Sequence, residues 1–201
     1  MTYIFCVIGK SSTGKDTVFD LLLNDSSLSL QKIVTYTTRP IRAGEADGRE
    51  YFFVDEDEEE RLSKEGKIIE RRSYDTVYGK WDYFTVNDGQ IEVSEGQDKC
   101  YIVIATLESF ARLKDFYKNV KVVPIYIYVE DGIRLLRALE RERAQKVHRY
   151  DEMCRRYLGD MKDFSDEKLK ECGIDHYFEN EDSQRTADEI ASYIRSVQRG
   201  G

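Results

Sequence analysis

The stretch Gly9-Lys10-Ser11-Ser12-Thr13-Gly14-Lys15-Asp16-Thr17 carries the residue types and spacing most suited to chemistry. A glycine loop of this kind turns its backbone N–H groups inward and cradles phosphates. The positive end of a following helix helps it hold them. On this reading Gly9, Ser11, Ser12, Thr13, Gly14, Lys15, Asp16 and Thr17 hold the phosphates of a nucleotide, and Lys15 reaches the one that is transferred. The usual pattern places Ser or Thr directly after the Lys, as a magnesium ligand. Here Asp16 stands there and Thr17 follows. A carboxylate is also a hard oxygen donor, so Asp16 and Thr17 are the expected metal ligands. An ordinary glycine turn is the competing explanation. The apolar run Tyr3–Ile8 before the loop and Thr17–Leu23 after it favour a strand, a phosphate loop and a helix.

The elements that must position this loop are visible as alternating runs. Strand-like segments occur at Tyr3–Ile8, Lys32–Tyr36, Cys100–Ala105 and Val122–Val129. Helical patterns occupy Thr17–Leu23, Leu107–Lys118, Gly132–His148, Tyr150–Phe164 and Thr186–Gln198. Such alternation predicts an α/β fold, a parallel sheet with helices on both faces, whose ligand sites lie at the carboxyl ends of the strands. The segment Thr35–Asn87 differs, being rich in Tyr, Arg and Glu and punctuated by Gly44, Gly48, Gly66 and Gly79. It reads as an inserted, mostly β lobe with one short helix near Glu58–Glu65. The acidic run Asp55–Glu60 lacks the ligand spacing of a calcium loop and reads as a solvated helix start. Charged residues make up 35% of the 201 and the net charge is -8, which argues against a nucleic-acid surface. No apolar run is long enough to span a bilayer, and the first strand begins too early to leave room for a signal peptide. Four scattered cysteines without metal-ligand spacing fit reduced thiols in a cytoplasmic protein.

Within the lobe the chain reads YTTRPIRAGEADGREYFF from Tyr36 to Phe53. Together with the glycine loop upstream, this resembles the TTRxxRxGExxGxxYxF-like signature of the guanylate kinase family. Ile68-Ile69-Glu70 and Val77-Tyr78-Gly79 resemble that family's two later substrate-contacting stretches. The resemblance implies a P-loop three-layer fold and transfer of a phosphoryl group from ATP, with Mg2+, to GMP or dGMP. It implies a single domain with a core of 1–34, 88–133 and 157–201, a monophosphate-binding lobe of 35–87 and a helical lid of 134–156. Arg39 and Arg42 would clamp the acceptor phosphate with charge-assisted forks, and Tyr51 and Tyr78 would add phenolic donors. Glu70 matches the carboxylate that accepts from guanine N1 and N2. Thr35 could donate to O6, and Lys80 stands where the family has a small hydroxyl residue near the base.

The family's lid arginine is matched by Arg141 or Arg143, and the arginine of the next helix by Arg156. All three are expected to offset charge on the transferred group. Asn180 falls in the family's adenine-contacting loop. His148 and His176 match no family role. The chain departs from the pattern at Val103 and Ala105, which stand where closely spaced aspartates are usual. Asp16 is therefore expected to supply the magnesium-linked carboxylate that the strand has lost. Two other assignments compete: a kinase for a different nucleoside monophosphate, supported by Lys80 and Ala105, and a non-catalytic guanylate-kinase-like binding module. Retention of Lys15 argues against the module.

Overall fold

The computed structural model describes residues 1–76, 79–93 and 99–200. Its centre is β1 (Thr2–Ile8), whose seven residues are all buried. β7 (Lys99–Ala105) and β8 (Lys121–Tyr128) flank it, β2 (Leu30–Lys32) lies outside β7, and β9 (Phe178–Glu179) lies outside β8. Every pairing in this sheet is parallel. Alternation along β1 divides the core. Tyr3, Phe5 and Val7 pack on one face with α1 (Lys15–Asn24) and α7 (Ser183–Arg199). Ile4, Cys6 and Ile8 pack on the other with α3 (Leu107–Phe116) and with Phe164 and Ile174. A strand buried at every position, and apolar from Tyr3 to Ile8, fits a sheet covered on both faces.

The run Lys32–Tyr36 is not one strand. Its first residue ends β2 and its last begins β3 (Tyr36–Thr37), which belongs to a second sheet. The apolar residues between them carry the chain from one sheet to the other. That second sheet runs in the order β4 (Phe52–Phe53), β3, β6 (Gly79–Val86), β5 (Ile68–Thr76). Its small core is Leu62, Phe84 and Val86 with Tyr36, Val54 and Ile68, covered by α2 (Glu56–Lys64). Asp55 caps α2 by accepting from the Glu58 N–H at 2.9 Å, and acids fill the first turn. The acidic run is thus a helix start, favoured by the helix dipole.

Two helices in contact with each other follow β8. α4 (Asp131–Arg143) ends earlier than the expected Gly132–His148, and Ala144–Arg149 link it to α5 (Tyr150–Asp163). A short α6 (Asp166–Glu171) and the two-residue β9 escape the sequence patterns because neither is long enough to show a period.

Candidate active site

The glycine loop leaves the carboxyl end of β1, where Ile8 stands level with Ala105 of β7 and Tyr126 of β8. Close packing dictates its glycines. A Cβ on Gly9 would meet the Ile127 carbonyl oxygen at 2.8 Å and Thr13 Oγ1 at 2.9 Å. Gly14 has φ +77°, and a Cβ there would lie 2.6 Å from Asn180 Nδ2. Thr13 is buried and donates to the Lys10 carbonyl at 2.9 Å. Ser12 has φ 64°, and its buried Oγ makes no hydrogen bond within the described residues. A buried hydroxyl without a partner is unusual and suits a ligand oxygen.

Lys15 opens α1, with its side chain 18% exposed and Nζ 3.6 Å from Asp16 Oδ2. Asp16 is 76% exposed and Thr17 is exposed, both on the first turn of α1. One accessible carboxylate and a hydroxyl are hard oxygen donors. They fit magnesium, which keeps several waters and binds through one or two carboxylates together with substrate phosphates. Val103 and Ala105 are buried in β7 and bring no oxygen side chain. Among the described residues no group of three or more His, Cys, Asp or Glu could hold a metal.

In the second lobe Arg39 is 3% exposed and held bidentately by Glu45, at 2.9 Å from each guanidinium nitrogen to each carboxylate oxygen. Nη1 also donates to the Pro40 carbonyl at 2.8 Å. The guanidinium stacks against Tyr51 at 5.5 Å and Phe53 at 5.4 Å. The hydrogen bond from Arg39 holds the Glu45 carboxyl below its usual range, against the opposing effect of burial. Burial pushes the Tyr51 phenol up, and Asp16 contributes to that shift across the gap between loop and lobe. Arg42 is exposed, and its backbone N–H donates to Glu45 Oε2 at 2.8 Å. Tyr78 lies outside the described residues.

Glu70 sits on β5 with its side chain 1% exposed. Arg72 Nε donates to Glu70 Oε2 at 3.0 Å, and Thr85 donates to Oε1 at 2.7 Å. The register pairs Glu70 with Thr85, Arg72 with Tyr83 and Tyr74 with Trp81, so these six share one sheet face. Lys80, paired with Asp75, points to the opposite face, where it is 57% exposed and 3.5 Å from Asp82. β-strand alternation thus puts Lys80 on the sheet face opposite Glu70. Thr35 precedes β3, is half-buried, and accepts the Phe52 N–H on its carbonyl at 2.9 Å. Arg72 and Tyr83 share Glu70's sheet face, and the sequence does not single them out. Their signal is the two-residue spacing from Glu70 and its cross-strand partner, usable only once the register is known.

The helical arginines divide by height along α4 and α5. Arg134 is 1% exposed and buried against the loop rather than free in a lid. Arg137 donates to the Asn180 carbonyl at 3.2 Å. Arg156 reaches Ser11 Oγ at 3.2 Å. A cleft of about 1060 Å3 is lined by Ser11, Ser12, Arg42, Trp81, Arg141 and Arg156 among others, and Arg143 on the exposed last turn of α4 is outside that lining. Asn180 does not face the cleft. Its buried Nδ2 donates to the Thr13 carbonyl at 2.7 Å and its Oδ1 accepts from Thr186, so the amide braces the glycine loop.

The family model described as Guanylate kinase matches residues 1–196. A guanylate kinase of Anaplasma phagocytophilum is 28% identical over 196 residues, which cover 97% of this chain and 87% of that protein. One from Porphyromonas gingivalis is 26% identical over 199 residues, covering 99% of this chain and 96% of the relative. The crystal structure of guanylate kinase from Anaplasma phagocytophilum superposes with a TM-score of 0.65 at 26% identity, covering 97% of this chain and 86% of that one.

Proposed function

Since the chain belongs to the guanylate kinase family, we propose that it moves the γ-phosphoryl group of ATP onto GMP, giving ADP and GDP. The observation that carries this is the cleft onto which Ser11 and Ser12 of the glycine loop, Arg42 of the lobe and Arg141 and Arg156 of the helices all open. A donor triphosphate and an acceptor phosphate can meet there in line. Phosphoryl transfer needs positioning and charge compensation rather than a covalent intermediate. Loop N–H groups and Lys15 hold the donor phosphates. Arg141 and Arg156 face the charge that spreads over the transferred group. Arg39 is set rigidly by Glu45 and the aromatic rings, and with Arg42, Tyr51 and Tyr78 it takes the acceptor phosphate. Asp16 and Thr17 would hold magnesium, which supplies neutralisation of the triphosphate charge when bound. Closure of the helices over the cleft excludes water and so limits ATP hydrolysis.

A second acceptor is favoured by one specific observation. The Glu70 carboxylate is already engaged by Arg72 and Thr85. Guanine must share or displace that fork to reach it, and a different base edge would suit the Glu70–Arg72 pair as it stands. ADP production from ATP and magnesium, measured against a panel of nucleoside monophosphates, decides this. Turnover confined to GMP and dGMP supports Glu70 as the base reader. Turnover with another monophosphate keeps the kinase and discards the guanine assignment, and no turnover with any of them overturns the kinase. No helix of the described residues is long and apolar enough to cross a membrane. The four scattered cysteines lack metal-ligand spacing, which supports a cytoplasmic enzyme.

A further inference from the structure

Phosphate transfer as just described leaves a knot of buried charge beside the glycine loop without a task. Arg134 of α4, 1% exposed, donates from Nη1 to the Ser11 carbonyl at 2.8 Å and to Asp160 Oδ2 at 3.1 Å. Its Nε donates to Asp131 Oδ1 at 2.9 Å, and its plane lies over the Tyr157 ring at 5.0 Å. Asp160 of α5 accepts the Ser11 backbone N–H at 2.8 Å. Lys10, also buried, closes the chain on Asp131 at 3.1 and 3.2 Å. The charges alternate in sign along Lys10, Asp131, Arg134 and Asp160. Burial alone would raise the Asp131 carboxyl, but the hydrogen bonds from Lys10 and Arg134 outweigh it and hold it low.

Both backbone polar groups of Ser11 are thus held by side chains from two helices that lie more than a hundred residues away. Buried ion networks are an inefficient source of stability beside apolar packing. What this one does supply is direction. Ser11 immediately precedes Ser12, whose φ of 64° starts the turn that aims the following N–H groups. Rotation of the Ser11 peptide would rotate them all.

We propose that Asp160, oriented by Arg134, is a positioning residue for ATP: it fixes the Ser11 peptide and thereby the phosphate-holding N–H groups, and it roots the two lid helices on the loop. This rests on ATP being the loop's ligand. The first turn of α4 and the last turn of α5 then form a fixed base, and the moving part of the lid lies between Arg137 and Arg156.

The test is calorimetric titration of ATP into the full chain and its variants, without an acceptor, beside steady-state kinetics. Asp160→Ala should weaken ATP binding roughly tenfold or more, the size of a lost hydrogen bond to a charged group. The KM for the acceptor, measured at saturating ATP, should stay within about twofold, because among the described residues Asp160 makes no hydrogen bond or ion pair to the lobe. Asp160→Asn keeps an acceptor for the Ser11 N–H but loses its charge toward Arg134, and should fall between. If Asp160→Ala does not fold, the ratio of ATP to acceptor effects in Asp160→Asn decides the question in the same way. ATP affinity unchanged in a folded variant, or both constants rising in proportion, would overturn the proposal. Because the calorimetry uses no acceptor, its outcome stands even if GMP fails as the acceptor.

Discussion

Under the proposed function, Asp16 is the residue on which magnesium binding would turn. It occupies the place of a hydroxyl residue, and β7 offers Val103 and Ala105 rather than acids. A single exposed carboxylate on the first turn of α1 would then stand in for several donors. Asp16→Ala should raise the magnesium concentration needed for half-maximal activity by roughly tenfold, the worth of one charge-assisted contact. A magnesium titration of ADP production checks this, and an unchanged curve would remove Asp16 from the metal site. Glu45 makes a second residue-level case. Its carboxyl is held below its ordinary value, first by the Arg39 hydrogen bond. A lowered folded value means that the pair stabilises the protein above the unfolded value of 4.5 and ceases to do so as pH falls through the folded one. The stability gap between the native chain and Glu45→Gln, followed by denaturant melts, should therefore narrow as pH falls below the unfolded value of 4.5. A gap that is flat across this range would show that the pair is not ionised in the way described.

At the scale of elements, legibility follows length and burial. β1, β7 and β8 carry no charged residue after their first position, and their ends are readable to within a residue because strands covered on both faces lack charged interruptions. β2 and β3 look like one strand in the sequence because apolar residues also line the crossing between the sheets. The glycine loop is legible from its residue types. The sheet face that carries Glu70 is only half legible, since Arg72 and Tyr83 join it and Lys80 leaves it by a pairing register that no single strand records. The brace on the loop is hidden for a related reason. Asn180 has the look of a ligand contact, yet burial commits its amide to the Thr13 carbonyl. That brace makes a prediction about the loop–helix junction. Gly14→Ala forces a left-handed backbone on a side chain and drives its Cβ toward Asn180 Nδ2 at 2.6 Å. The left-handed conformation alone costs about 1–2 kcal/mol, which lowers Tm by about 2–8 °C in a chain of this size. The steric push should add to that and weaken ATP binding. A variant that melts normally and binds ATP normally would mean that the loop is not braced by Asn180.

The whole molecule sets two electrostatic effects against each other. The net charge of -8 repels an anionic nucleotide at long range. At the cleft the local sign reverses: Arg42, Arg134, Arg141, Lys146, Arg149 and Arg156 line it against Glu142, Asp151 and Glu152. These act over different distances, and salt separates them. The screening length is about 30 Å at 0.01 M, about 10 Å at 0.1 M and about 3 Å at 1 M. Raising salt from the lowest value first screens the repulsion of the distant acids, such as the first turn of α2, while phosphate contacts in the cleft are still felt. Raising it further screens those contacts as well. The KM for ATP should therefore pass through a minimum near roughly 0.1 M and rise several-fold toward 1 M, with kcat changing less because the enclosed transition state is poorly screened. Steady-state kinetics in a chloride series at constant magnesium activity measure both. A KM that falls throughout would show that net charge governs nucleotide capture and that the cleft arginines contribute nothing to it. A KM that rises from the lowest salt would show the reverse, a local field strong enough to reach beyond the cleft and outweigh the acidic surface around it.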